Sequence, residues 1–455
     1  MRVLMISHRF PPDAVAGVER YTESLADELQ AGGDAVTVLT RRPGPGPVRP
    51  VREQGTAGVD VIRLVGGGVD RERWLHLARS MEDSFSTILE ELQPDVVHVN
   101  HLVDLSPRFL ALARAAGAAV VLTLHDFWFP CPRITLQRPD GSLCDGPQGG
   151  AACAAHCYGP EPGIVDGDVG PTDRLRLRAL YFRRLLDVPD RVLCPSRYVA
   201  DWFEGWGLEA GRVRPLPNGI RLPAPAEERD EAARPRGRLQ LAILGAVVRH
   251  KGHNVVIEAL AGDGVDADLY VHGPLGDAGF ASELRALAAD VPGLRLHICG
   301  AYEPADLSLL LEGIDLVIVP SVWPETFCLV VREGLARGVP AITTRLGALP
   351  AAIEHGVNGF LYDHDQPAQL GDLLRRSARE PGLLERLARG AVSTRIPTLE
   401  EHADGVRAEY AAALGEREAN AVGAEAAIHE LEALERLLGD SPGEVPSTQT
   451  LEGVA

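Results

Sequence analysis

Lysine is almost missing from this 455-residue chain: Lys251 is the one lysine among 45 basic residues, and the other 44 are arginine. So general a replacement is a coding bias, and it sets apart the single place, in Arg249-His250-Lys251-Gly252, where a compact ammonium was kept. Basic charge as a whole is short as well, with a net charge of −19 and an isoelectric point near 5.2. That excludes nucleic acid as a general partner, which would need a concentrated excess of Lys and Arg, although a local basic patch stays compatible. Long apolar runs are also missing, and none approaches the roughly 20 residues that a membrane-spanning helix needs. The N-terminal MRVLMIS carries one basic residue and no cleavage-site pattern. It reads as a first strand rather than a signal peptide, and a cytoplasmic location is the expectation.

What is present is apolar sequence in strand-length pieces. A chain of this length exceeds what one core usually supports, so two domains of about 200 residues are expected. Strand-like runs alternate with amphipathic helical stretches, the pattern of buried parallel sheets in the α/β class. One series comprises RVLMIS, AVTVLT, VDVIRL, DVVHVN, AVVLTLHD and RVLCPS; a second comprises LQLAILG, ADLYVHG, LRLHICG, DLVIVPS, VPAITT and GFLYD. The division is an N-terminal Rossmann-like domain over 1–217 and a C-terminal one over 218–397, with Leu222 to Gly237 reading as a hinge or linker. A helix over 398–415 is expected to cross back to the N-terminal domain, and 416–455 to be helical and then disordered from Ser441 to Ala455. Doubly wound sheets bind ligands at the carboxyl ends of their strands, so two facing halves would hold a cleft between them.

Residues 320 to 340, PSVWPETFCLVVREGLARGVP, carry the strongest motif. A strand ending at Pro320, a loop with Glu325 and an apolar-faced helix from near Phe327 would aim free N–H groups and the positive helix end at an anion such as a diphosphate. A helical rise bounds the Glu325–Glu333 separation at about 12 Å, the span of a hexose and a pyrophosphate to a ribose. Two glutamates at arbitrary spacing are usually surface residues. Context decides here. The segment resembles the Glu-x7-Glu signature of the large retaining, GT-B-fold group 1 glycosyltransferases, relatives of sucrose synthase and glycogen synthase. FPPDAVAGVERYTESLADEL (10–29), TLHD (123–126), CPSRY (194–198), PNGI (217–220), LGAVVRHKG (244–252) and NGFLYD (358–363) are also similar to that family.

The resemblance implies a nucleotide diphosphate sugar as donor and a carbohydrate, lipid-linked or small-molecule acceptor, the N-terminal domain holding the acceptor and the C-terminal domain the donor. It places Glu325 on donor-sugar hydroxyls, Glu333 on the ribose diol, Lys251 on the diphosphate and His125 beside the transferred sugar. Gly17 lets the first loop approach the phosphates, and Gly245, Phe327, Cys328 and Leu329 complete the donor site. Two departures stand out: Gly245-Ala246 replaces the family's Gly-Arg, leaving Arg249 as the substitute diphosphate cation, and Ala16-Gly17 replaces paired glycines. An Asp-x-Asp metal motif between strands is taken to be absent, so a catalytic metal is not expected, and Lys251, Arg249 and the helix start would stabilise the leaving diphosphate. The family implies front-face substitution with retention, with Asp126 supporting His125. A GT-B phosphorylase or epimerase, or a non-catalytic sugar-nucleotide binder, are the competing readings. Glu-x7-Glu disfavours the first two, and Ala246 is the only support for the third.

Four of the seven cysteines, Cys131, Cys144, Cys153 and Cys157, fall in one loop-like insert over 131–157. Cys-x3-Cys with two distant thiols fits a structural zinc site, while disulfides and unlinked thiols remain open because the spacing is not a standard finger pattern. Residues 172–189, TDRLRLRALYFRRLLDVP, combine arginines with Leu175, Leu180, Tyr181, Leu185 and Leu186. They read as a helix packed on the sheet or, alternatively, as a peripheral membrane contact at the inner face. The helix from Ala424 to Leu438, with Ile428, Leu431 and Leu434, offers an apolar stripe to a partner.

Overall fold

The structure is a computed structural model that describes residues 1–14, 16–67, 79–158, 171–223, 237–262 and 264–437. Strands buried on both faces must be apolar at odd and even positions alike, and this chain meets that demand twice. The first compact unit is discontinuous, combining Met1–Pro217 with Leu399–Val454; the second is Asn218–Thr398.

In the first unit, strands β1 (Arg2–Ile6), β2 (Ala35–Arg42), β3 (Arg49–Gln54), β4 (Asp60–Val65), β5 (Val96–Val99), β6 (Ala119–Thr123), β7 (Arg191–Cys194) and β8 (Val213–Pro215) form one sheet of order β3-β4-β2-β1-β5-β6-β7-β8. All neighbours are parallel except β3 and β4. Alternate residues of β1 divide between two cores. Leu4 and Ile6 join Phe85, Phe109, Tyr181 and Phe203 on one face, while Val3 and Met5 join Leu25, Leu29, Val406 and Tyr410 on the other. The helix Leu399–Glu416 thus completes the second face, next to helix Gly17–Ala31. It is pinned by Arg407 on Asp34 at 2.9 Å and by Tyr410, whose hydroxyl lies 2.7 Å from Nδ1 of buried His98.

The second unit has strands β9 (Leu239–Leu244), β10 (Ala267–His272), β11 (Leu294–Gly300), β12 (Leu316–Val319), β13 (Ala341–Thr344) and β14 (Gly359–Tyr362), all parallel, in the order β11-β10-β9-β12-β13-β14. Here too β9 alternates, Leu241 and Ile243 facing one core and Ala242 and Leu244 the other. Each sheet reverses its winding once, between β1 and β5 and between β9 and β12. Loops leaving those pairs diverge to opposite faces, which opens a crevice at the strand ends.

All twelve expected strands are present, and two more, β3 and β8, lie at the sheet edge. Of the two readings of 172–189, packing on the sheet is the one its apolar residues follow, since they turn inward. In helix Pro171–Leu185 and just beyond it, Leu175, Tyr181, Leu185 and Leu186 are buried in the first core, which leaves Leu180 as the exposed apolar residue of that set. The expected partner-docking helix, Ala421–Leu437, packs instead on this same unit. Ala427 and Leu431 are buried there, and Glu435 accepts a 2.9 Å hydrogen bond from the Tyr181 hydroxyl. Most of the linker (224–236), Leu438 and the tail from Ser441 lie outside the described residues.

Candidate active site

In the second unit, β9 ends at Leu244 and β12 at Val319, the two strands that flank the reversal. Their loops are tied together by the backbone, Val322 N–H donating to the His250 carbonyl at 3.0 Å. Gly252, at φ 70°, lies so close to the next strand end that a Cβ would run into the Pro320 carbonyl oxygen. A residue with a side chain would push the loops apart. This close approach brings Lys251 to Glu325.

Glu325 is only 5% exposed, and its Oε1 accepts from Lys251 Nζ at 2.7 Å, Ser321 Oγ at 2.6 Å and Trp323 Nε1 at 2.9 Å. Burial alone would raise its pKa, but Lys251 and the two neutral donors outweigh it and hold the carboxyl below its usual range. Burial likewise opposes the charge on Lys251, yet Glu325 more than compensates and keeps the amine above its ordinary value. Lys251 also lies 5.2 Å from the Trp323 ring centre, a cation–π contact. Both groups are therefore ionised at neutral pH. The backbone of Glu325 is fixed as well, its carbonyl accepting from Ala348 N–H at 2.7 Å.

The helix that follows begins at Leu329, two residues later than the sequence suggests. Phe327 is buried beneath Arg332, whose guanidinium carbon lies 3.6 Å from the ring centre. Cys328 occupies the N-cap with φ 64°, and burial, followed by the charge of Glu325, pushes its thiol up to about 12. Glu333 stands in the second turn, half-buried. Because residues 325–328 are not helical, the helical rise does not set the separation of the two glutamates. Gly245 follows β9 directly, with φ 131°, and donates its N–H to His272 O at 2.8 Å. Arg249 is not drawn into the Glu325 cluster. It is 62% exposed, bonded to Glu283 at 2.6 Å and stacked on Phe280 at 4.9 Å, so service to a phosphate would require release from Glu283.

In the first unit, the ends of β1, β5 and β6 gather His8, His101 and His125. Sequence reasoning found His125 and Asp126 but not the others. His101 Nε2 lies 2.8 Å from Asp126 Oδ2, and its Nδ1 accepts the Val103 N–H at 3.1 Å, which assigns the Nε2–H tautomer. His8 packs 4.5 Å from the His101 ring and 3.4 Å from Glu19, which stands in the first turn of helix Gly17–Ala31. Gly17 opens that helix, with open space where a Cβ would be. His125 is 8% exposed, with its ring 4.4 Å from Tyr21. Burial, reinforced by His101, lowers its pKa to about 3, so it is a neutral hydrogen-bonding group at pH 7. The available signal was positional: polar residues directly after strands that flank a reversal of winding.

Cys131, Cys144, Cys153 and Cys157 line one cavity. Among the described residues, however, no group of three or more His, Cys, Asp or Glu side chains stands in a geometry that could hold a metal ion as it is. Cys131 and Cys153 are buried, and burial raises both thiol pKa values, which favours the neutral thiols. Contrary to the expectation of none, Asp-x-Asp pairs do occur among the described residues, at Asp266 and Asp268 and at Asp363 and Asp365. Asp268 is bonded to Arg238 and Gln240, and Asp363 to Arg345 and Gln369.

Residues 15–222 match the model for Glycosyltransferase Family 4, and residues 226–393 that for Glycosyl transferases group 1. The chain belongs to the group 1 glycosyltransferases of GT-B fold. It is 32% identical over 260 residues to a D-inositol 3-phosphate glycosyltransferase of Acidothermus cellulolyticus, an alignment that spans 52% of this chain and 57% of that protein. It is 25% identical over 421 residues to a glycogen synthase of Mycobacterium tuberculosis, covering 86% of this chain and 89% of that one. Among solved structures it resembles the sucrose-phosphate synthase of Thermosynechococcus elongatus, with TM-score 0.62, 18% identity and coverage of 97% and 100%. Anabaena HepE in complex with UDP and glucose gives TM-score 0.63, 17% identity and coverage of 90% and 99%. At those identities the structures speak to the fold. No helix among the described residues is long and apolar enough to cross a membrane.

Proposed function

We propose that the chain transfers a hexose from a nucleotide diphosphate sugar to a hydroxyl of a polysaccharide, lipid-linked or small-molecule acceptor, with retention and without a catalytic metal. The observation that carries this reading is the Lys251–Glu325 pair at the β9/β12 reversal, where one buried carboxylate oxygen collects three donors. The remaining Glu325 oxygen is the acceptor for hydroxyls of the donor sugar. Lys251 Nζ keeps N–H bonds for the diphosphate, and charge on that leaving group grows in the transition state, where a fixed ammonium stabilises it most. The amides at the start of helix Leu329–Ala336 add the positive end of a helix dipole. Glu333 takes the ribose diol. The anomeric carbon–oxygen bond to the diphosphate breaks as the acceptor oxygen bonds on the same face, and the acceptor proton passes to the departing phosphate oxygen.

Gly17 and neutral His125, in the first unit, serve phosphate approach and the transferred sugar, and that unit is the acceptor side. The relatives are named for unlike acceptors, D-inositol 3-phosphate and glycogen, while HepE is seen with UDP and glucose, which supports the donor class more strongly than any one acceptor. Thermal shift with UDP, GDP and ADP tests the donor site. A nucleotide at 100 times its Kd adds about 2.7 kcal/mol. No shift with any nucleoside diphosphate, or an inverted anomeric signal in the product by NMR, refutes the corresponding part of the reading. Activity abolished by EDTA and restored by Mg²⁺ overturns metal independence.

A further inference from the structure

The insert that follows His125 and Asp126 has little regular structure, yet it brings four thiols to one place. A turn closes after Cys131, Ile134 N–H donating to Cys131 O at 2.9 Å. The chain then doubles back through an antiparallel bridge between Gln137 and Leu143, and Cys144 N–H donates to Leu136 O at 2.8 Å. The hairpin thereby returns Cys144 beside the Cys131 turn. Cys153 and Cys157 come from the short helix Ala151–His156 and its C-cap, where a four-residue step puts two side chains on one helix face. A Cβ on Gly150, at the head of that helix, would collide with the backbone of Leu175 and Arg176, so the helix is seated tightly on Pro171–Leu185.

All four thiols line a cavity of ≈ 10 Å³, close to the volume of one water-sized sphere. A backbone amide is aimed at one of the sulfurs, Gly146 N–H donating to Cys144 Sγ at 3.4 Å. Buried Arg178, which donates to the Phe129 and Trp128 carbonyls at 3.0 and 2.9 Å, lies within electrostatic reach of Cys131 and Cys153.

The geometry points to a structural zinc site made of Cys131, Cys144, Cys153 and Cys157, which fastens the hairpin to the helix seated on Pro171–Leu185. A redox-inert ion with a tetrahedral preference suits four thiolates at about 2.3 Å, and binding draws the sulfurs inward from the cavity wall. Four protons leave as the thiolates form, and Arg178 offsets part of the site's net negative charge. This loop-built insert has no independent core, so the metal supplies the folding energy that apolar burial does not.

Elemental analysis of the full chain, purified without chelator or an added metal, should give about one zinc per chain. A thiol-specific mercurial should release that zinc, and cobalt substitution should show thiolate-to-cobalt charge transfer with tetrahedral d–d bands. Cys153→Ser with Cys157→Ser should lose the metal and lower Tm, while Cys299→Ser, at an exposed thiol outside the cluster, should keep it. Should the double variant fail to fold, the wild-type cobalt spectrum still decides. Metal-free wild-type protein overturns the proposal, whether its four thiols alkylate freely or mass spectrometry finds them as disulfides. Iron in place of zinc overturns it too. Each readout is independent of glycosyl transfer, so an inactive preparation with zinc bound, or an active one without it, separates this inference from the proposed function.

Discussion

At the scale of single residues, Lys251 is where composition and structure meet. Ammonium and carboxylate are 2.7 Å apart, and Lys251 remains 27% exposed while Glu325 is almost fully covered. Lys251→Ala should therefore lower donor affinity and kcat together, kcat by about 10²-fold, since it removes charge aimed at the leaving group. Lys251→Arg keeps the charge but puts a planar fork where a point donor fits, so only partial recovery is expected. Wild-type kinetics for Lys251→Ala at limiting donor would remove Lys251 from the site. The pair also fixes a pH response. The Glu325 carboxyl is depressed in the folded state, so its stabilisation is present above the unfolded value near 4.3 and lost as pH falls toward the folded one. The Lys251 amine is raised, so its share is present below about 10.4 and lost only as pH climbs past the folded value. The Tm difference between wild type and the Glu325→Gln, Lys251→Met double variant should accordingly be flat from about pH 5.5 to 9 and shrink below about 4. A slope between about pH 4.5 and 6.5 would assign the difference to His250 instead, whose folded pKa is lowered to about 4 by burial.

Among elements, the short helix Leu329–Ala336 shows how a backbone requirement can hide in a sequence. Its N-cap, Cys328, holds φ 64°, a conformation that costs a residue with a Cβ roughly 1–2 kcal/mol and glycine little. Cys328→Gly should stay within about 1 kcal/mol of wild type, because relief of that strain offsets the lost side-chain packing. Cys328→Val should lose about 2 kcal/mol or more, since a β-branched side chain is least suited to that backbone. Denaturant midpoints at unchanged m-value would measure both, and equal losses would mean that packing, not backbone, governs the position. The same contrast explains what could be read in advance. Interior strands such as β9, buried at all six positions, announce themselves as apolar runs, whereas β3 (RPVREQ) is an edge strand with no fully buried residue and reads as loop. β8, three residues ending in proline, is edge-type for the same reason. Glu325 and Lys251 were legible through their motif, but His8 and His101 carry no local pattern. Only the strand order, which is non-local, puts the ends of β1 and β5 side by side.

For the whole molecule, the first unit is assembled from both ends of the chain, and its polar contacts show how much the C-terminal part contributes. Tyr21 lies 3.0 Å from His402, whose other ring nitrogen is 2.8 Å from the Pro217 carbonyl; His98 pairs with Tyr410, and Arg407 with Asp34. A fragment ending at residue 217 would leave His98 with an unpartnered ring nitrogen and would uncover Leu25, Leu29 and Val38, which share a core with Val406 and Tyr410. An unsatisfied buried polar group costs about 1–3 kcal/mol, and several such groups with exposed apolar surface exceed the 5–15 kcal/mol that stabilises an ordinary domain. The fragment 1–217 should be unfolded or aggregated, whereas 218–398, with two cores of its own, should give a cooperative thermal transition. Joining 399–437 to 1–217 through a flexible linker should restore a second transition, because it returns helices Leu399–Glu416 and Ala421–Leu437 to their faces of the sheet. Circular dichroism and calorimetry on the three fragments would show this directly. If 1–217 alone melts cooperatively at the temperature of the joined fragment, the C-terminal helices are accessories to a unit that already holds itself together.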